Sequence, residues 1–298
     1  MSEEPKPTTP AKADAPKSGS KLDLASIGGL AVALLGILGG LLIEGGKLKD
    51  VAQFTAAMIV LGGTAGAVLV STPLPVAIGA LRRFAGVFRD NSQPLGGLIE
   101  EVIGYATKAR KNGLVSLEQE ADRIQDPFLK KALNLAVDGT DLQEIRKMLE
   151  LEIEMEENHA EAEARVFESA GGYAPTIGII GAVLGLIQVM KNLANIEEVG
   201  HGIAVAFVAT VYGVGAANLV FLPAASKIKA RISGEVHRKE LIVEAVSGIV
   251  EGLNPKVIRL KLEAYQGAVP AKKAAKEKKG SKEAPNEAPK KSPEPVKA

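Results

Sequence analysis

Four stretches of this chain carry no charged residue: 24–43, 51–81, 173–190 and 202–226. That pattern constrains the fold more than any single motif. The hydrocarbon core of a bilayer, about 30 Å thick, is crossed by roughly 20 apolar residues of helix. Inside it only helices and closed barrels satisfy every backbone N–H and C=O. All four runs reach that length within its normal range, and no long stretch alternates apolar with polar residues as a strand would. The first run starts too late, is too long and lacks the small-residue cleavage site of a removed signal. The expected fold class is therefore an all-α integral membrane protein with four transmembrane helices. A large helical cytoplasmic segment separates the second from the third, and a helical cytoplasmic region follows the fourth.

Lysine and arginine near the span ends set the orientation. Lys12, Lys17 and Lys21 precede the first run, Arg82, Arg83 and Arg89 follow the second, and Lys227, Lys229, Arg231, Arg238 and Lys239 follow the fourth. The opposite side has only the short loops "EGGKLKD" and "KNLANIEEVG". Both termini and the middle segment are expected in the cytoplasm of a multi-pass membrane protein. The expected organisation is a disordered tail over 1–21 and two spans with a short periplasmic loop over 22–81. A helical cytoplasmic segment follows over 82–170, then two spans over 171–226, helices over 227–268 and a disordered tail over 269–298. The last tail is rich in lysine and proline, with nine Lys against four Glu in 271–298, and is expected to be drawn weakly to anionic lipid.

Turn chemistry divides the soluble part. In "LGGLIEEVIGYATKARKNG", Leu98, Val102 and Tyr105 share a face, and Asn112-Gly113 stops the helix. "SLEQ" (116–119) reads as a capping box, and "DPF" (126–128) as an N-cap followed by proline at the first helical position. "DLQE" (141–144) opens a long helix reaching about residue 170 and leading into the third span. "GLNP" separates helices over 226–251 and 255–266.

Composition excludes several functions. With 36 basic and 35 acidic residues and a net charge of +1, nothing favours nucleic acid. The absence of cysteine removes disulfides, thiol catalysis and Cys-ligated zinc. His159, His201 and His237 have no metal-ligand spacing, with His201 expected near the outer mouth of the fourth span. The acidic run 150–165 reads as an exposed helix with intrahelical charge pairs. Neither a phosphate loop nor a nucleophile constellation is present, so no enzyme and no cofactor are expected.

The third and fourth runs each carry a stripe of small residues at helical spacing: Gly178, Gly181, Ala182 and Gly185, and Ala206, Thr210, Gly213 and Ala217. In lipid, small residues let helix backbones approach closely, and on spacing alone ordinary helix packing outranks a pore. Thr176 and Thr210 add hydroxyls. Pro175 reads as lying near the start of its helix, and Pro223 near the end of an apolar run, where it can kink the helix. No run contains Asp, Glu, Lys, Arg or His, whereas ion relays through membranes normally need an ionisable group. A partner helix must bring the acid, or the chain conducts nothing.

"YAPTIGIIGAVLGLI", "GIAVAFVATVYGVGAANLVFLPAASKI", "ARKNGLVSLEQE", "DPFLKKALNLAVDGTD" and "GLNPKVIRLKLEAY" resemble the MotA/PomA family of flagellar motor stator subunits over residues 22–266. The resemblance implies several copies, five in the family's picture, around helices of a MotB/PomB-type single-span partner. That partner is anchored to peptidoglycan and carries the ion-binding aspartate. The implied pore wall and ion pathway comprise Pro175, Thr176, Gly178, Ala182, Gly185, Ala206, Ala209, Thr210, Gly213 and Pro223. The family's functional prolines fall on Pro175 and Pro223 and its pore threonine on Thr210. Its torque charges fall on Arg110, Lys111 and Glu118, facing a rotor switch-complex protein (FliG-type). Sodium-type relatives have threonine where this chain has Ala182 and Ala209, so protons are the expected ion, with sodium the alternative. Two other functions are weighed: an ExbB/TolQ-type subunit energising outer-membrane transport, and a membrane scaffold without conduction.

Overall fold

A computed structural model describes residues 21–87, 89–90 and 95–267. The expectations for the two tails fall outside these residues. Four helices are long and apolar enough to cross a membrane. The first is α1, Leu24–Ile43. Asp23 caps it by accepting a hydrogen bond from the Ser26 amide at 3.2 Å. No residue of α1 is buried, so its apolar surface is turned away from the rest of its own chain.

The second span, α2, runs over Leu48–Ser71. It is interrupted at residues 52–53 and wound as a π-helix over Met58–Gly62. The run 51–81 was expected to be one helix, and the structure corrects this. Thr72 is extended (φ −131°, ψ 134°) because the residue before a proline is driven out of helical geometry, here by Pro73. The helix resumes as α3, Leu74–Val87. This helix buries Ala80 and Val87 and exposes Leu74, Ile78 and Leu81.

The elements between the second and third spans follow the turn signals in part. Helix α4 is Leu95–Asn112; it ends at Gly113, whose φ of +84° suits glycine. The capping box expected at Ser116 is not formed. Ser116 Oγ instead donates to the Gly113 carbonyl at 2.7 Å, and a 3-10 turn, Leu114–Leu117, leads into the short α5, Glu118–Ala121. Helix α6, Pro127–Val137, is capped by Asp126, which accepts from the Phe128 and Leu129 amides. Helix α7 is Leu142–Lys191, about 75 Å long at 1.5 Å per residue. It holds the third span and passes unbroken through Pro175. Pro175 is therefore deep inside a helix and not near its start. Helix α8, Ile196–Val250, contains the fourth span and is π-wound over Ala216–Phe221. Pro223 cannot donate to the carbonyl four residues back, and the widened winding lies where that bond is missing. Helix α9 is Pro255–Gly267. Sequence reading expected no strand, but Lys21–Leu22 (β1) and Arg89–Asp90 (β2) pair antiparallel.

By contact the chain divides into two units, 1–93 with 155–234 and 94–154 with 235–298. Stretches 82–93, 155–170 and 227–234 thus group with the spans. The second unit has an apolar core drawn from α4, α6, the start of α7, the end of α8 and α9. Leu129, Leu133, Leu149, Leu241 and Leu262 are fully buried there, each stabilising by about 1.5–3 kcal/mol relative to exposure.

Candidate ion pathway and rotor-facing surface

The small residues of the third and fourth spans face each other. A Cβ placed on Gly178 would lie 2.9 Å from the Ala209 carbonyl oxygen and 3.3 Å from Gly213 Cα. One on Gly185 would lie 2.7 Å from the Gly202 carbonyl oxygen and 2.9 Å from the Ala206 nitrogen. The contacts repeat at seven residues along each helix, Gly178 to Gly185 on α7 and Ala209 to Gly202 on α8, as two antiparallel helices crossing at a shallow angle require.

Span α2 seals this seam. Ala56 and Val60 cluster with Val208 and Ala209, and a Cβ on Gly181 would meet both Ala209 Cβ and Ile59 Cγ2. Tyr212 ties α8 to the start of α2, donating its hydroxyl proton to the Val51 carbonyl and accepting from the Gln53 amide at 3.3 Å. Sequence reading missed Tyr212 and Gly202; a tyrosine within an apolar run is the signal that could have found the first.

Gly178, Gly185, Ala206, Ala209 and Gly213 are therefore buried between helices of one chain, and their small size serves close packing. Ala209 is fully buried against Gly178 and Gly181. Pro175, Ala182 and Thr210 are half-buried, and Thr176 and Pro223 are exposed. The Thr210 hydroxyl donates to the Ala206 carbonyl at 3.2 Å and the Thr176 hydroxyl to the Tyr173 carbonyl at 2.8 Å. Each keeps its lone pairs for an incoming donor or cation. Broad apolar faces remain uncovered beside them, including Ile179, Ile180, Val183 and Ile187 on α7 and Phe207, Val211 and Val214 on α8.

Ion pairs join the span ends that carry the basic residues. Asp23 pairs with Lys227 at 2.5 Å and with Arg231 at 3.6 Å, and Lys229 pairs with Glu168 at 2.6 Å. The hydrogen bond from Lys227, helped by the Ser26 amide, lowers the Asp23 carboxyl to about 2. Arg231 also donates to the Gly86 and Val87 carbonyls, which end α3. Within the acidic run, Glu161 and Arg165 form the expected intrahelical pair at 3.7 Å. Glu163 departs from that expectation: it is buried and paired with Arg83 of α3.

In the second unit, Arg110, Lys111 and Glu118 are exposed, at the end of α4 and the start of α5. None of the three has an ion-pair partner among the described residues. Their neighbours Lys108 and Glu120 do pair, at 2.6 Å, and Lys108 holds the Glu120 carboxyl below its usual range. Beside Arg110 lies a cavity of about 170 Å³ bounded by Ala106, Gly113, Leu114, Val250 and Leu253. Arg110 thus borders this recess, while Lys111 and Glu118 lie exposed outside its lining.

The fold and site define a multi-pass membrane protein whose third and fourth spans pack tightly through small residues and carry no Asp, Glu, Lys, Arg or His over 173–190 and 202–226. The comparisons agree. Residues 120–241 match the MotA/TolQ/ExbB proton channel family, and residues 27–105 match the motility protein A N-terminal family. Motility protein A of Bacillus subtilis (strain 168) is 35% identical over 252 residues, 84% of this chain and 92% of that one. Chemotaxis protein PomA of Vibrio alginolyticus is 31% identical over 238 residues, 78% of this chain and 93% of that one. The C. jejuni MotAB structure superposes with a TM-score of 0.79 at 34% identity, covering 82% of this chain and 96% of that one. The flagellar MotAB stator complex of Bacillus subtilis gives 0.76 at 35%, covering 81% and 95%. The chain belongs to the motility protein A family, the stator channel subunits of the flagellar motor. The match over residues 27–105 to a motility-specific family selects this reading over the ExbB/TolQ alternative.

Proposed function

We propose that several copies of this chain, five in number, form a ring in the bacterial inner membrane around a MotB/PomB-type single-span subunit anchored to peptidoglycan. The observation that carries this reading is the absence of Asp, Glu, Lys, Arg and His between Gly202 and Ser226 and between residues 169 and 190. A chain so built supplies the wall, and the partner's aspartate supplies the titrating group. The solved relatives are MotAB complexes, which supports such a partner. The inner wall is drawn from the half-buried and exposed residues Pro175, Thr176, Ala182, Thr210 and Pro223. The Gly178, Gly185, Ala206, Ala209 and Gly213 seam holds that wall in shape. The uncovered faces meet lipid, the partner helix or the next copy.

Both termini lie in the cytoplasm. Arg110, Lys111 and Glu118 meet the charges of a FliG-type rotor protein. Exposed pairs of this kind contribute only about 0–1 kcal/mol each, which suits contacts made and broken at every step. The conducted ion is the proton, a reading supported by Ala182, whose methyl group offers no oxygen to replace sodium's hydration. The test is the swimming speed of cells whose only stator is this chain with its partner. Speed should persist when sodium is removed and collapse with a protonophore; dependence on sodium instead would overturn the choice of ion.

A further inference from the structure

Three polar or charged side chains are buried among the described residues: Thr64, Ser247 and Glu163. Thr64 and Ser247 each donate to a carbonyl one turn back, at 2.6 and 2.7 Å, and need nothing more. Glu163 is the ionisable one, only 5% exposed. It lies on α7 twelve residues before Pro175, roughly 18 Å along the helix. The second element at this site is α3. A Cβ on Gly79 would overlap Glu163 Oε1, so the carboxylate lies directly against the bare backbone of α3. One turn further along α3, Arg83 Nε donates to Glu163 Oε2. His159 Nε2 stands 3.5 Å from the other carboxylate oxygen. Phe84, next after Arg83, stacks its ring on that of Phe167, one turn along α7 from Glu163, with centroids 5.3 Å apart. Helix α3 is tied at its far end to α8 through Arg231, which also reaches Asp23 at the head of α1. One short helix thus links the third span's helix to the fourth, and through Arg231 to the first.

Fold stability is a weak reason for such a pair, because an apolar replacement of similar volume often does as well or better. A buried ion pair does fix register: sliding one helix past the other would leave a charge unmatched in a dry site. Helix α7 is one continuous element, and proline weakens its hydrogen bonding at position 175. We propose that Glu163 and Arg83 are positioning residues, a brace that locks the third span's helix to α3 so that it holds its line under load. This rests on the reading of the chain as a torque-generating stator subunit.

The test is a bead assay of single motors driven by the full chain with its partner, recording torque from zero load to stall and stator number by fluorescence. Glu163→Gln keeps the shape and removes the charge. It should leave zero-load speed unchanged and lose stall torque per stator. Because the chain has no cysteine, Gly79→Cys with Glu163→Cys places one covalent link where the ion pair was. Stall torque should be higher oxidised than reduced. Unchanged stall torque in Glu163→Gln, an equal loss at all loads, or no difference between the oxidised and reduced pair would each overturn the brace. A wild-type pair that turns no motor would sink the stator reading itself.

Discussion

Gly213 offers the sharpest test of how the third and fourth spans are held together. A Cβ there would lie 2.5 Å from the Ala174 carbonyl oxygen, 3.1 Å from Gly178 Cα and 3.2 Å from Pro175 Cα. The first distance is about 0.9 Å inside the 3.4 Å at which ordinary contact begins. All three neighbours are backbone, so no side chain can rotate aside and the helices must part. A radial gap of about 0.5–1 Å forfeits roughly a quarter to a half of each dispersion contact, and lipid supplies little hydrophobic drive to offset the loss. Gly213→Ala is therefore expected to destabilise by about 1–3 kcal/mol, the range for overpacking a filled interior. The control is Gly66→Ala on α2, where nothing lies within 4 Å of the added carbon. There the better helix propensity of alanine, up to about 1 kcal/mol, should make the change neutral or stabilising. Thermal unfolding of the purified complex in detergent, read beside soft-agar motility, separates the two. Equal stability of the two variants would refute the seam. A Gly213→Ala protein of full stability but altered ion flux would move the residue to the conduit.

Other outcomes follow from named contacts. The Asp23 carboxyl is held at about 2, below its ordinary 3.8, so its contribution to stability is present above pH 3.8 and is lost as pH falls towards 2. An acid titration of the wild type should show that loss and Asp23→Asn should not. Asp126→Ala removes the α6 cap and leaves Arg238 without its ion partner; the cap alone should cost about 0.5–2 kcal/mol in denaturant unfolding. Arg110→Gln and Glu118→Gln change exposed groups without ion-pair partners among the described residues. Stability should stay within about 0.5 kcal/mol while swimming speed falls, most in the double variant.

Much of this architecture is local and could be read residue by residue. The four spans follow from length and the absence of charge. Asp126 caps α6 because its side chain meets amides two and three residues on, and Gly113 and Gly252 end helices because each adopts a positive φ. All of these are short-range properties of the chain. Other features needed a neighbour. Residues 51–81 look uniform in hydropathy, yet the backbone turns at Thr72-Pro73, and α3 becomes a separate helix with one face buried. Ser116 had the spacing of a capping box but found the Gly113 carbonyl instead. By spacing the glycine stripes favoured helix packing over a pore wall, and which helix each stripe meets emerged only from the approach of Gly178 to Gly213. Glu163 lay in a run of acids that resembled a solvated helix; it is buried because Gly79, eighty-four positions earlier, leaves room for it and Arg83 neutralises it. Sequence alone determined which stretches are long and apolar enough to span, and that Asp126 opens one helix and Gly113 closes another, since those depend on hydrogen bonds and hydrophobicity within a few turns. Which face of each helix meets which partner was decided by the tertiary structure, because close packing depends on the shapes of two surfaces at once.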